Sequence, residues 1–196
     1  MPTSSGALSL QLRIELDGLA PAVWRRILVP TNVPMSKLHE ILQRTMGWTD
    51  SHMHAFVVGH TRYGMCFDDE PDDEIDDQEV TVREALKGRQ YFVYEYDFGD
   101  GWSHTITLEK EVRTTRALRY AVCLSGENAC PPEDSGGVSG YERMLNALAD
   151  PRHEEHDDYV RWIGRDSFDR TAFDIVAINV TLQGIAQGSR RRASPW

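Results

Sequence analysis

The densest group of chemically capable residues surrounds a short, glycine-containing turn between two strand-like segments. The segment reads YEYDFGDGWSH from Tyr94 to His104. Asp97 and Asp100 offer carboxylates and His104 offers an imidazole, all within eight positions. Because a tight turn brings its flanks together, these groups could ligate a metal or perform acid–base catalysis. Asp and Gly are also ordinary turn residues, and a single histidine in a strand is often structural, so that alternative stays open.

A second candidate is the segment ACPPEDSGG at residues 129–137, with Tyr141 just beyond it. Adjacent prolines and glycines would hold Glu133 and Asp134 in a rigid loop before a helix. Rigid loops that carry carboxylates often form binding or catalytic sites. The same residues could instead only order the entrance of the helix. We expect this loop and the hairpin turn at 99–101 to meet in space.

Two weaker patterns involve metal-binding residue types. His52 and His54 alternate near Trp48 and could bind a metal or line a pocket, although packing around neighbouring aromatic residues is the simpler interpretation. Cys123 and Cys130 could join a zinc site only if two more ligands approached, since the close Cys-x-x-Cys pairing of most zinc modules is missing.

These candidates support two functions of different classes. The first is a non-catalytic accessory or binding protein that recognises a protein or small-molecule partner in a polar and aromatic pocket. That pocket would be lined by Asp97, Asp100, Trp102, His104, Glu133, Asp134 and Tyr141. The second is a metal-dependent hydrolase, similar to a phosphodiesterase, whose cofactor is a hard divalent cation. Its metal ligands would be Asp97, Asp100, Glu133 and Asp134, with His104 as a base or further ligand.

Signatures of several other chemistries are missing from the sequence. It contains no Gly-x-x-x-x-Gly-Lys phosphate loop, no Gly-x-Ser-x-Gly nucleophile turn and no zinc-finger spacing. Gly99 and Gly101 lie between two strand-like segments and are not followed by a helix, so a dinucleotide site is not predicted.

The net charge of -10 is concentrated in one segment. Residues 68–79 read DDEPDDEIDDQE, and we expect a solvated, mobile acidic loop there because such charge density opposes burial. A cation or a basic partner is the alternative role for this loop. The three arginines at 190–192 are too few for the phosphate neutralisation that nucleic-acid binding requires. Residues 185–196 are expected to form a flexible tail.

Length and composition indicate one cytoplasmic domain spanning residues 1–196. The chain is 40% hydrophobic and 27% charged, and no apolar run approaches the ~20 residues needed to cross a bilayer. The start of the chain lacks the basic and apolar regions of a secretory signal. Three cysteines are too few for a disulfide framework, which favours a reducing compartment.

The elements that must position the candidate residues follow from periodicity and turn signals. Alternating apolar residues predict strands at 8–16 and 23–29, and β-rich runs predict strands at 54–58, 91–98 and 102–112. Spacings of three and four predict helices at 36–47, 81–88, 139–151, 159–164 and 173–182, although the last range also alternates like a strand. Residues 123–137 are expected to be an irregular loop. This order predicts an α+β domain with an antiparallel or mixed sheet and helices packed on it.

Five segments of the chain together carry a resemblance to a known family. They are Leu10 to Val29, GW at 47–48 with His52-x-His54-x-Phe56, YEYDFGDGWSHTI at 94–106, ACPPEDSGGVSGY at 129–141 and FDRTAFDIVAIN at 168–179. The family they resemble is the plasmid pRiA4b ORF-3-like family. The resemblance implies an α+β protein carried by plasmids and transposons, some of whose members bear a resolvase (TnpR-like) label. It implies no particular reaction. The residues do not support recombinase chemistry, because Ser9 has only Arg13 near it in sequence, whereas a serine recombinase needs several arginines around its nucleophile.

Overall fold

The computed structural model describes residues 7–66, 74–119 and 121–191, with side chains described as far as residue 185. Over these residues, eight strands form one mixed sheet with five helices packed around it, which confirms the predicted α+β class. The strands are β1 Ala7–Leu16, β2 Val23–Pro30, β3 His54–Val58, β4 Thr61–Gly64, β5 Glu74–Asp76, β6 Tyr91–Tyr96, β7 Trp102–Thr114 and β8 Val122–Glu127. The helices are α1 Met35–Met46, α2 Val82–Leu86, α3 Gly137–Ala149, α4 His156–Ile163 and α5 Ile175–Arg191.

The strand order is β5-β4-β3-β6-β7-β1-β2-β8. The β4–β5 pair is parallel, and the other neighbouring strands are antiparallel. In β1 the alternate residues Leu10, Leu12, Ile14 and Leu16 are buried, as the period of two predicts. None of the helices, over the part of the chain that the structure describes, has the length and hydropathy of a membrane span.

Helix α1 buries its apolar stripe in the core and ends as predicted. Gly47 follows it in the left-handed conformation, with φ of 87°, and its N–H donates to the Gln43 carbonyl oxygen at 2.9 Å. The helix begins at Met35, one residue before the predicted range of 36–47, with Pro34 as its N-cap and no capping side chain. The Ser36 N–H instead donates to the Asp77 carbonyl oxygen at 3.0 Å, a partner from a distant segment.

Strand β8 lies where the sequence predicted an irregular loop, so that prediction is wrong for residues 123–127. The strand pairs with β2 on one side. On its other side Asn179 of α5 accepts from the Cys123 N–H and donates to the Cys123 carbonyl oxygen, both at 2.9 Å. This amide satisfies the N–H and carbonyl oxygen of Cys123, which would otherwise be unpaired at the open edge of the sheet. Helix α5 confirms the helical alternative for residues 175–182, and it begins two residues later than the predicted range.

The start of α3 and the end of α5 also bear on the sequence predictions. Helix α3 begins at Gly137 with Gly136 as its N-cap and no side-chain cap, so the predicted start at Ser139 is wrong. Helix α5 continues through Arg191, so the backbone of residues 185–191 is helical, and a flexible tail at residues 185–196 stays a prediction. Residues 192–196 lie outside the described residues.

The acidic segment is only partly described, and that part is ordered. Residues 74–76 form strand β5, and the next residue, Asp77, is 3% exposed. The Asp77 carboxylate lies 2.8 Å from Nε2 of the buried His54. The expectation of a solvated loop is therefore wrong for residues 74–77, because a buried imidazole supplies the polar partner that allows this carboxylate to leave water. Residues 68–73 lie outside the described residues.

Candidate functional site

The turn between β6 and β7 is built around the side chain and backbone of Asp97. This residue has a left-handed φ of 52°, and its carbonyl oxygen accepts from the Gly101 N–H at 2.6 Å. Its Oδ1 accepts from the N–H groups of Gly99 and Asp100 at 3.1 and 3.2 Å. The turn therefore uses one carboxylate oxygen and fixes the direction of the other.

The hairpin turn and the 131–137 loop meet, as the sequence predicted. Oδ2 of Asp100 accepts from the Gly136 N–H at 2.9 Å. A Cβ added at Gly137 would lie within 3.0 Å of the Asp100 carbonyl oxygen, so the two backbones are in close contact. Because Asp100 fastens one loop to the other, its carboxylate has a structural role in the site.

Glu133 joins a third loop, residues 47–53, to the other two. One carboxylate oxygen accepts from the Thr49 N–H at 2.9 Å and from the Thr49 hydroxyl, and the other accepts from the Tyr96 hydroxyl. Beside it, Trp48 Nε1 donates to the Pro131 carbonyl oxygen at 3.0 Å and the Trp48 ring stacks on Tyr96. Glu133 is therefore occupied in holding the loops together.

The protonation states of Glu133 and Tyr96 agree with the role of Glu133 in holding the loops together. Partial burial alone would raise the pKa of Glu133, but the donors from Thr49 and Tyr96 outweigh it and lower the pKa below its usual value. Burial, together with the Glu133 carboxylate, raises the pKa of Tyr96 well above its usual value. The shared proton therefore stays on Tyr96, and Glu133 accepts hydrogen bonds as an anion.

Three side chains at the surface of these loops form a group with metal-ligand character. His52 Nε2 lies 2.7 Å from Asp134 Oδ1 and 3.6 Å from Asp97 Oδ2. One ligand atom from each residue lies within 4.8 Å of the other two. The side chain of Asp97 is 10% exposed, that of His52 is 30% exposed and that of Asp134 is 62% exposed. We call these three residues the His52 group.

The electrostatics of the His52 group favour a cation. Desolvation opposes protonation of His52, but the hydrogen bond that its Nε2–H donates to Asp134 and the charges of Asp97, Asp134 and Glu133 outweigh it, and the pKa of His52 is raised. A divalent ion at the same position would interact with the same carboxylates and would replace the proton.

Three of the residues predicted to form the site lie elsewhere, in the core. Trp102 and Tyr141 are each 1% exposed, and His104 is fully buried. Among the described residues, His104 Nε2 and Trp102 Nε1 have no hydrogen-bond partner. Burial lowers the pKa of His104 to about 3, so its imidazole is neutral. These side chains therefore do not line an open pocket with the carboxylates, and His104 does not join the His52 group.

His54 is structural, although His52 belongs to the site. The His54 ring stacks on His39 with centroids 3.5 Å apart, and His39 Nε2 lies 2.5 Å from Asp50 Oδ1. Burial, and then the neighbouring His54, lower the pKa of His39. The His-x-His spacing would place both rings on one face of a strand. Strand β3 begins at His54, however, and His52 lies in the loop before it, so the two rings have different neighbours.

Among the described residues, Cys123 and Cys130 belong to no group of three side chains that could hold a metal. Burial raises the pKa of Cys123, and it raises the pKa of Cys130 to about 12. Metal ligation requires thiolates, which these surroundings disfavour. Both thiols lie near the buried guanidinium of Arg25, whose pKa is lowered by burial.

Comparison with known proteins shows which family the chain belongs to. A sequence model described as "Plasmid pRiA4b ORF-3-like protein" matches residues 9–177. The chain belongs to the plasmid pRiA4b ORF-3-like family. It is similar to "Uncharacterized protein y4hQ" of Sinorhizobium fredii, with 36% identity over 186 residues that cover 94% of this chain and 95% of that protein. It is also similar to MM3350 from Methanosarcina mazei Go1, a protein of unknown function whose crystal structure covers 87% of this chain and 97% of its own, with 36% identity and a TM-score of 0.77. The pRiA4b ORF-3-like fold is therefore shared over most of the chain.

Proposed function

We propose that this pRiA4b ORF-3-like protein is a cytoplasmic, mobile-element-associated accessory protein that binds a divalent metal ion at His52, Asp97 and Asp134. The observation that carries the proposal is the convergence of one imidazole and two carboxylates from three separate loops, with ligand atoms within 4.8 Å of one another. Convergence from three loops requires the tertiary contacts made by Asp100 and Glu133.

The backbone conformations of the two aspartates support the proposal. Asp97 and Asp134 both have left-handed φ angles, 52° and 62°. For a non-glycine residue this conformation costs about 1–2 kcal/mol, which glycine would largely avoid. Aspartate tolerates this conformation better than most residues, so both turns can carry a carboxylate where the loops converge.

The donor set of one imidazole and two carboxylates favours a transition metal over Ca²⁺ or Mg²⁺, with Zn²⁺ as the borderline candidate and Mn²⁺ as the hard one. Calcium and magnesium sites are built from oxygen donors, whereas imidazole suits zinc and its neighbours. The sequence-based ligand set also included Asp100 and Glu133, and these carboxylates already hold the loops together. Asp97 Oδ1 accepts hydrogen bonds from two backbone N–H groups. These bonds would orient the Asp97 carboxylate towards a metal ion, as hydrogen bonds to the ligands do in other metal sites.

Isothermal titration calorimetry with ZnCl₂ and MnCl₂ tests the proposal on protein stripped with a chelator. We expect one site, and we expect His52→Gln, Asp97→Asn and Asp134→Asn each to weaken it at least about tenfold. Asp157→Asn removes an exposed carboxylate at the start of α4 and serves as the matched control. Equal affinity in the wild type and the three ligand variants would refute the proposal.

Metal-dependent hydrolysis is a second candidate function. The observation that favours it is the exposure of His52 and Asp134, whose side chains are 30% and 62% exposed, because it leaves coordination positions for water and substrate, as in catalytic zinc sites. The test is hydrolysis of bis(p-nitrophenyl) phosphate by the metal-loaded protein. Activity that is lost in Asp97→Asn and retained in Asp157→Asn would support hydrolysis, and metal binding without turnover would leave the accessory role.

A further inference from the structure

Strand β7 extends well past the start of its neighbour β6. The ladder between the two strands ends at Thr107, and the Leu108 N–H donates to the Gln90 carbonyl oxygen at 2.7 Å. On its other side β7 stays paired with β1 as far as Thr114. Among the described residues, no backbone group pairs with residues 110–114 on the β6 side. We call residues 110–114 the open edge.

The described part of the chain leaves space beside the start of the open edge. A cleft of about 490 Å³ lies there, and its lining includes Leu86, Leu108, Lys110 and Glu111. Helix α2 borders the cleft, and its Arg83 pairs with Glu111 at 2.8 Å. Neighbouring strands in a sheet lie ~4.8 Å apart, and the unpaired N–H and C=O groups of an edge are a template for pairing with another chain.

The side chains of the open edge alternate between the two faces of the sheet. Glu111 lies opposite the buried Leu10 of β1, so Glu111 and Arg113 share the core face and Val112 lies on the other face. The Glu111 side chain is 37% exposed. Arg113 is exposed and has no ion pair among the described residues. Charges on an edge strand normally prevent pairing with other chains, so the partner that fits is the one whose charges match.

A second copy of this chain matches these charges in one register. A two-fold axis perpendicular to the sheet makes the two edge strands antiparallel, keeps their core faces on the same side and centres the pairing on one residue. Centred on Val112, the pairing places Glu111 of each copy opposite Arg113 of the other. Centred on Lys110, Glu111 or Arg113, the pairing places that charged residue opposite itself, which is unfavourable.

We propose that two copies of this chain pair through their open edges, antiparallel and centred on Val112. Each copy contributes one Glu111 and one Arg113, so two oppositely charged pairs flank the central valines. The sheets of the two copies then continue as one sheet across the two-fold axis. The paired segment is about 17 Å long, which is short for a stable interface, so the dimer forms at high protein concentration. The proposal goes beyond metal binding and does not depend on it.

Sedimentation velocity over a hundredfold range of protein concentration tests the proposal. Chelator is present throughout, so a failure of metal binding has no effect on the result. We expect a reversible equilibrium between monomer and dimer. Arg113→Glu places carboxylates opposite carboxylates in both pairs and should weaken dimerisation at least tenfold. Arg143→Glu makes the same charge change at an exposed position of α3 and should leave dimerisation unchanged.

A charge exchange tests the register. Glu111→Arg combined with Arg113→Glu restores opposite charges across the two-fold axis, so this double variant should dimerise at least tenfold more tightly than Arg113→Glu alone. Hydrogen exchange of the wild type should show stronger protection of the open-edge amides in the dimer than in the monomer. Urea denaturation shows whether each variant is folded. A wild type that is monomeric at all concentrations, equal weakening by Arg113→Glu and Arg143→Glu, or no recovery in the double variant would overturn the proposal.

Discussion

Replacing His104 by Gln should make the protein less sensitive to acid. The wild-type imidazole is fully buried with a pKa of about 3, against about 6.5 in the unfolded chain. The unfolded state therefore binds a proton between pH 6.5 and 3 that the folded state does not bind. The associated stability is present above pH 6.5 and is lost as the pH falls towards 3.

The magnitude follows from the difference between the two pKa values. Each pH unit below 6.5 costs about 1.4 kcal/mol, so about 3 kcal/mol is lost by pH 4.5 and about 5 kcal/mol by pH 3. Glutamine does not titrate, so this part of the pH dependence disappears in the variant. The variant should be less stable than the wild type at pH 7, because the imidazole fills a packed position against Trp48.

Urea denaturation at pH 7.0, 6.0, 5.0 and 4.5 measures this difference. The free energy of unfolding of the wild type should fall by about 3 kcal/mol more than that of His104→Gln between pH 7.0 and 4.5. His60→Gln removes an exposed histidine between β3 and β4 and should retain the wild-type pH dependence. Parallel pH profiles for the wild type and His104→Gln would show that the His104 imidazole titrates normally and would refute the reasoning.

Two further predictions concern the loops and the sheet edge. Asn179→Ala should lower the free energy of unfolding by about 2–4 kcal/mol, because the Cys123 N–H and carbonyl oxygen lose their partner. Urea denaturation measures this loss, and a loss below about 0.5 kcal/mol would contradict the role of Asn179. Gly137→Ala should destabilise the protein by about 3 kcal/mol or more and weaken metal binding, because its Cβ would collide with the Asp100 backbone at a left-handed φ of 68°. Gly47→Ala has a similar φ with open space around it, so a cost of only about 1 kcal/mol is expected, and equal costs in the two variants would exclude the collision as the cause.

Local patterns in the sequence were sufficient to predict the central elements. The alternation at residues 8–16, the Gly-Asp-Gly turn and the stop at Gly47 depend on neighbours in sequence, and the structure confirms all three. Strand β8 and the burial of Asp77 depend on Asn179 and His54, which lie far away in the chain. Such partners are set by tertiary packing, so local patterns do not predict these features.

The candidate site was also only partly predictable, because local patterns reveal its turns but not the tertiary contacts between its loops. Asp97 and Asp134 were correctly expected to come close, because rigid turns at the same end of a sheet can converge. The site contains His52 and not the predicted His104, and the sequence did contain a signal that His104 lies away from the turn carboxylates. His104 alternates with Ser103 and Thr105, so the period of two places it on the buried face with Trp102 and not with the turn carboxylates. The approach of His52 to Asp134 depends on the Glu133 contacts with Thr49, which the sequence does not indicate.

The position of a bound metal ion is the most direct test of the account. Crystals grown with ZnCl₂ should show an anomalous difference peak at the zinc edge about 2.0–2.2 Å from His52 Nε2, Asp97 Oδ2 and Asp134 Oδ1. Crystals of Asp97→Asn grown in the same way should lack this peak or show it much reduced. A wild-type map without a peak at this position, or with zinc bound instead by Asp100 and Glu133, would contradict the proposed site.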